Sequence, residues 1–242
     1  MPNMIDLHCH LLPGLDDGAA DLKDSVAMAE ALVDLGYRQI FGTPHLPWGQ
    51  SLLTREEIGA AAAAVGQALL ARGRDLLLSF AAEHAIGVLP ELLQQDRGIA
   101  YPGARTLLVE FPLSGFPARW EECLFRAQVK GITPVIAHVE RYSEVQKSLE
   151  VVRRFREKGC YVLANLSSFS RRGWSKKACF TAEALVKEGL LDAVNTDLHS
   201  VDEAAIVAEG LDALTGLVDA RTLDELTRGN PERISRGEQP ER

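Results

Sequence analysis

The chain has 242 residues, 46% hydrophobic and 25% charged, the make-up of a globular protein long enough to bury a core without staples. Its 26 basic and 34 acidic residues leave a formal charge of −8, which argues against a dedicated nucleic-acid binder, whose surface would be basic. Asp6 and His8 follow the first residues with no charged or apolar leader between, and no apolar run approaches the ~20 residues that span a bilayer, so neither a secretory signal nor membrane insertion is expected. A cytoplasmic protein follows, in which the scattered Cys9, Cys123, Cys160 and Cys179 are free thiols rather than a disulfide framework.

Short apolar runs alternate with amphipathic helices along the chain. The first run, residues 4–7, leads into His8. A helix then starts near Asp21, with Asp21 or Asp24 as its cap, places Val26, Ala29, Leu32 and Val33 on one face, and ends at Gly36. Residues 39–42 read as a strand that ends at Thr43-Pro44-His45. The alanine-rich stretch 55–72 reads as a helix, residues 76–82 as a strand ending at Glu83, and residues 89–95 as a short helix. Residues 106–109 form a strand ending at Glu110, and 118–130 a helix followed by Gly131. A strand over 133–137 ends at His138, and a helix over 143–158 closes at Gly159. A strand over 160–164 ends at Asn165, a helix spans 175–188, a strand over 193–195 ends near Asp197, and 201–226 is mostly helical. About seven β/α units result, with no linker or composition break, so residues 1–242 are expected to form one domain. The alternation implies a parallel sheet covered by helices, either closed into a barrel or open and doubly wound.

The ligand-type residues fall at the strand ends. His8 and His10 are two apart on an extended segment and share a side, while Cys9 points away as a buried core thiol. Six strands end in a candidate ligand: His8/His10, His45, Glu83, Glu110, His138 and Asp197/His199. In a parallel α/β fold these ends meet on one face, where active sites form, and Asp17 can join from the first β/α loop. Singly, a histidine after a strand is more often a packing residue, and Asp16-Asp17-Gly18 can be a simple turn. Five of the six histidines at converging strand ends outweigh those readings and point to a metal site. His84, beside Glu83, faces the other way and reads as structural or rim-exposed. Histidines with carboxylates and no thiolate suit Mn²⁺, Fe²⁺ or Zn²⁺. Nine candidate ligands exceed the needs of one ion and fit two or three, with Glu110 or Asp197 as bridges. Ions in such sites make hydroxide available at neutral pH.

The stretch from Met4 to Gly18 resembles the opening of the polymerase-and-histidinol-phosphatase (PHP) domain family, and in particular its manganese-dependent bacterial tyrosine-protein phosphatases from capsular and exopolysaccharide clusters. Gly42-Thr43-Pro44-His45, Glu110-Phe111-Pro112, Ala137-His138-Val139-Glu140-Arg141-Tyr142, Thr196-Asp197-Leu198-His199 and Asn230-Pro231 are similar to the later motifs, so the likeness runs along nearly the whole chain. The first and fifth motifs are specific, while the others would be weak alone. The resemblance implies a distorted (β/α)7 barrel. It also implies a trinuclear site from His8, His10, Asp17, His45, Glu83, Glu110, His138, Asp197 and His199. In such enzymes a metal-bridging hydroxide attacks phosphorus without a cysteinyl-phosphate, and Arg141 binds phosphate and assists catalysis. A phosphorylated tyrosine kinase of polysaccharide assembly is the implied partner.

Two departures bear on the substrate. Leu46 stands where the family often has a second histidine, and residues 200–205 lack the arginine found in relatives after the last motif. The basic segment Arg171-Arg172-Gly173-Trp174-Ser175-Lys176-Lys177 lies on the same rim and can supply positive charge there, or be a solvated loop. A histidinol-phosphatase-like or other small-molecule PHP phosphatase is the alternative. An amidohydrolase or nuclease is disfavoured by Asn165, where those families place a histidine. A degenerate, partner-binding module would have lost ligands, and none is lost here.

Overall fold

A computed structural model describes residues 3–47, 49 and 52–242; Met1 and Pro2, part of the stretch read for a leader, lie outside the described residues. In chain order the elements are β1 Met4–Cys9, α1 Leu22–Leu35, β2 Tyr37–Gly42, β3 His45–Leu46, α2 Arg55–Ala71, β4 Leu77–Phe80, β5 Glu83–Ala85, α3 Leu89–Gln94, β6 Thr106–Glu110, α4 Trp120–Val129 and β7 Thr133–Ile136. They continue as α5 Ser143–Lys147, α6 Glu150–Glu157, β8 Tyr161–Asn165, α7 Lys176–Lys187, β9 Ala193–Asn195, α8 Ala204–Thr215, α9 Ala220–Asp224 and α10 Asn230–Ser235. No helix among the described residues is long and apolar enough to cross a membrane.

Every strand pair is parallel, in two runs, β1-β2-β4 and β3-β5-β6-β7-β8-β9. The two runs are one continuous array. β3 prolongs β2 across Pro44, which has no N–H to give to a ladder. β5 prolongs β4 across Ala81-Ala82, whose amides bond to Gly42 O and Ile99 O. The array closes where Asp197 N donates to His8 O at 2.8 Å and His10 N donates to Leu198 O at 3.0 Å. Treating β2/β3 and β4/β5 as single strands gives seven staves, and the open-sheet alternative falls away in favour of the barrel. One buried cluster draws Ile5, Leu7, Phe41, Ala81, Leu108, Val135, Ala137, Leu163 and Ala193 from all seven staves and fills the interior, while a larger cluster lies between strands and helices.

Local sequence sets the boundaries. Asp21 rather than Asp24 caps α1, accepting from Lys23 N and Asp24 N, and Gly36 closes it at φ 108°. Thr54 and Glu57 form a reciprocal capping box at the start of α2, which satisfies two otherwise orphaned N–H groups. The single helix expected over 143–158 is two, α5 and α6, because Ser148 is extended (φ −157°) and its Oγ accepts from Glu150 N; a serine offers the backbone that alternative to a helical bond. The strand expected over 76–82 is shortened at both ends, and the expected helix over 201–226 is a 3-10 turn at Val201–Glu203, then α8, α9 and a π-helical turn at Glu225–Gly229. Asn230 and Pro231 open α10, which follows directly on that π-helical turn. Leu46, at the anticipated second histidine, is buried in the outer core.

Candidate metal centre

At the C-terminal mouth of the barrel the strand ends bring His8, His10, Asp17, His45, Glu83, Glu110, His138, Asp197 and His199 together. They fall into four overlapping groups whose ligand-type atoms lie within 4.8 Å of one another: His10/Asp17/His45/His199, His8/His10/Asp197, His8/Glu83/His138 and His45/Glu83/Glu110. Glu83 is central. Its Oε1 lies 3.1 Å from His8 Nε2 and 2.9 Å from His138 Nε2, and its Oε2 lies 2.9 Å from His45 Nδ1 and 3.6 Å from His10 Nε2. Asp197 Oδ1 lies 3.1 Å from His8 Nε2 and 3.4 Å from His10 Nε2. Glu110 Oε1 is 3.1 Å from His45 Nδ1, and Asp17 Oδ1 is 3.6 Å from His45 Nε2 and 3.5 Å from His199 Nε2. The Glu83 end is buried and the Asp17 end is open, Asp17 being half exposed. Glu83, which sequence had not singled out as a bridge, is thus the carboxylate shared by two groups, whereas Glu110 belongs to one.

Backbone irregularities aim two of these side chains. His138 (φ 34°) and Asp197 (φ 52°) adopt left-handed conformations uncommon outside glycine and concentrated at functional sites. His8 lies within the Asp6–Cys9 register irregularity of the β1–β2 pair.

A second layer orients the rings. Thr43 Oγ1 is 2.7 Å from His8 Nδ1, and Asp16 Oδ2 is 2.6 Å from His10 Nδ1. Asp16 also accepts from Gly18 N and His45 N, so it ties the first β/α loop to the His10 ring and to the His45 backbone. Asn165 Nδ2 donates to Asp197 Oδ2 at 2.7 Å and Asn195 Nδ2 donates to Asn165 Oδ1 at 2.8 Å. Asp16 and Thr43 were not among the expected site residues; their signal was proximity to a ligand motif, and it is indistinguishable in sequence from turn chemistry.

Electrostatically the cluster is a cation trap. Burial opposes charge on His8, but Glu83 and Asp197 outweigh it and raise the ring to about 10. His10, against the same burial, is raised by Asp16 and Asp197 to about 9, and His45 by Glu110 and Glu83 to about 11. Glu83 and Asp197 would be pushed up by burial, yet the surrounding histidines hold them well below the usual carboxylate range. His199 moves down, through burial and the nearby His10. His8 Nε2, His10 Nε2 and Glu83 Oε2 are buried, and their close neighbours are the other titratable groups of the cluster. Buried polar atoms that meet only one another are costly unless protons or a cation bind between them. Carboxylates and imidazoles turned toward a common centre fit divalent metal ions.

Arg141 projects from a short 3-10 turn after His138. Its Nη1 donates to Asp197 Oδ2 at 2.8 Å, while the neighbouring carboxylates are engaged elsewhere, Glu140 accepting from Ser168 Oγ and Glu144 from Phe116 N. A cleft of about 590 Å³ opens beside the cluster, lined among others by Asp17, Arg141, Trp174, Asp197 and His199. From the basic segment, Arg172 lines this cleft but pairs with Glu209 at 2.5 Å, and Arg171 turns to Glu183. His84 is fully buried rather than at the rim, its Nδ1 2.8 Å from Leu108 O and its Nε2 accepting from Ile99 N, and burial lowers it to about 4. Cys9 is buried with its Sγ toward Leu198 O, and burial raises its thiol well above the ordinary value. It faces away from the cleft and is not a thiolate.

Residues 4–236 match the family described as capsular polysaccharide synthesis, CpsB/CapC. The chain is 32% identical over 200 residues to the tyrosine-protein phosphatase YwqE of Bacillus subtilis, covering 82% of this chain and 78% of that protein. It is 27% identical over 238 residues to the tyrosine-protein phosphatase CpsB of Streptococcus pneumoniae, covering 96% and 98%. Among solved structures, one described as YwqE from Bacillus subtilis and CpsB from Streptococcus pneumoniae, metal-dependent tyrosine phosphatases, superposes with a TM-score of 0.90 at 29% identity over 99% of this chain and 97% of that one. A phosphotriesterase homology protein from Escherichia coli shares the fold alone, with a TM-score of 0.60 at 13% identity over 98% of this chain and 99% of that one.

Proposed function

The chain belongs to the CpsB/CapC family of capsular polysaccharide synthesis, and on that premise we propose that it is a metal-dependent protein-tyrosine phosphatase that dephosphorylates a tyrosine kinase of polysaccharide assembly. The observation that carries this reading is the gathering of nine ligand-type side chains around Glu83 at the barrel mouth, in a chain similar to phosphatases of that kind along nearly its full length.

Residues 1–242 act as one phosphoesterase domain in the cytoplasm, where the free cysteines stay reduced. His8, His10, Asp17, His45, Glu83, Glu110, His138, Asp197 and His199 hold two or three divalent ions, manganese first, with iron or zinc as substitutes. Bound there, the ions supply Lewis acidity toward phosphate oxygens and hydroxide at neutral pH. Glu83, shared between two ligand groups, would be a ligand common to both. Asp16 and Thr43 fix the ring orientation of His10 and His8, as second-layer partners of metal-binding imidazoles do. Arg141 presents a planar, permanently charged fork at the cleft, suited to phosphate oxygens, and its bond to Asp197 holds it against the ligand cluster. No nucleophilic cysteine takes part.

A substrate panel tests the reading. With Mn²⁺, the enzyme should release phosphate from a phosphotyrosine peptide of the kinase faster than from histidinol phosphate or phosphoserine. Faster turnover of histidinol phosphate would keep the reaction class and overturn the substrate.

A further inference from the structure

We propose that Trp174 is a specificity-determining residue that receives the aryl ring of the substrate and so favours aryl over alkyl phosphomonoesters. This rests on the phosphatase reading of the metal centre. Trp174 is 63% exposed, yet it lines the cleft beside the ligand cluster. Scattered surface hydrophobics are ordinary, but the position of this one is enforced. The preceding Gly173 packs so tightly that a Cβ there would come within 2.0 Å of Ser167 O. The following Ser175 caps α7, accepting from Ala178 N at 3.1 Å. Ser170 Oγ accepts from Arg172 N and donates to Glu209 at 2.8 Å. A loop pinned at both sides holds a large indole out toward solvent.

The indole is also tied to the chemistry. The Arg141 guanidinium carbon lies 4.2 Å from the Trp174 ring centroid, a cation–π distance, and the same guanidinium bonds to Asp197. In an aryl phosphate one ester oxygen separates ring from phosphorus. A phosphate seated at Arg141 and the ligand cluster therefore places its ring within reach of the indole, in a cleft that Ile206 and Val207 also line. An alkyl ester offers no ring to that surface.

The test is binding, which needs no turnover. Metal-loaded wild type, Trp174→Ala, Trp174→Leu and Trp174→Phe are titrated calorimetrically with phenylphosphonate and methylphosphonate, with metal content measured in each. Wild type should prefer phenylphosphonate. Trp174→Ala and Trp174→Leu should weaken phenylphosphonate roughly 3- to 10-fold, the scale of an aromatic pair, with methylphosphonate nearly unchanged; Trp174→Phe should retain most of the preference. For phosphotyrosine the loss should fall on KM rather than kcat. No phenyl preference in wild type, no loss in the variants, or equal loss for both ligands overturns the proposal, the last assigning Trp174 only to holding Arg141. If the phenyl preference behaves as expected while wild type fails to hydrolyse phosphotyrosine, the substrate reading fails and the aryl subsite stands.

Discussion

Asp16 and Thr43 each hold the Nδ1 of a cluster histidine, and neither offers an oxygen to the four ligand groups. Asp16→Asn should therefore lower metal affinity and turnover by about 10- to 100-fold, the usual cost of losing such a partner, while His8→Ala should cost more than that, because it removes a ligand shared by two groups. Metal analysis and kinetics on folded variants check both; equal effects would place Asp16 among the ligands. Cys9→Ser should lose about 1–3 kcal/mol of stability by burying a hydroxyl and keep its metal and its turnover. Loss of turnover with metal and fold intact would make the thiol a nucleophile. The gathering of these nine side chains at one mouth was legible in sequence because strand ends meet in a parallel α/β fold. Asp16 was not, because an aspartate two residues before a glycine makes the same turn bond, to Gly18 N, whether or not it also holds a ring. His84 shows the reverse: adjacency to Glu83 said only which way it would point, and its burial depends on Ile99 and Leu108 far along the chain.

The seven β/α units were readable from apolar periodicity, and with them the barrel mouth that gathers the site. The breaks were less readable. Pro44 announces the division of β2 from β3, but the division of β4 from β5 depends on partners at Gly42 and Ile99, and Ser148 looks like any helical serine until its side chain bonds to Glu150 N. Close packing between elements is likewise invisible in sequence. A Cβ on Gly210 of α8 would lie 1.8 Å from Leu166 O, a backbone atom that cannot swing aside. Gly210→Ala should cost about 1–3 kcal/mol as overpacking, a melting-temperature drop of roughly 2–12 °C for a chain of this size. An unchanged melting temperature would mean that α8 and the turn after β8 are not packed this closely.

Across the whole molecule the charge arrangement couples metal, protons and stability. Without ions, His8, His10 and His45 hold protons up to about 10, 9 and 11, whereas in the unfolded chain they release them near 6.5. A raised folded-state value means that stabilisation is complete below about pH 6.5 and is lost as pH rises toward those values. The metal-free protein should accordingly melt at lower temperature as pH rises from about 7 to 10. Divalent ions must displace the same protons, so their affinity should increase over that range, and the loaded protein should escape the decline. Melting curves of chelated and reloaded protein check the sign; a metal-free protein that gains stability with pH would contradict it.

The most direct measurement of the metal-dependent phosphatase is elemental analysis of the purified chain, coupled to phosphate release from a phosphotyrosine peptide before chelation, after chelation and after Mn²⁺ is restored. The expected result is bound transition metal, activity that disappears with the chelator and returns with Mn²⁺, and loss of both metal and activity in His8→Ala. A folded protein that binds no transition metal, or that hydrolyses the peptide equally well after chelation, would contradict it.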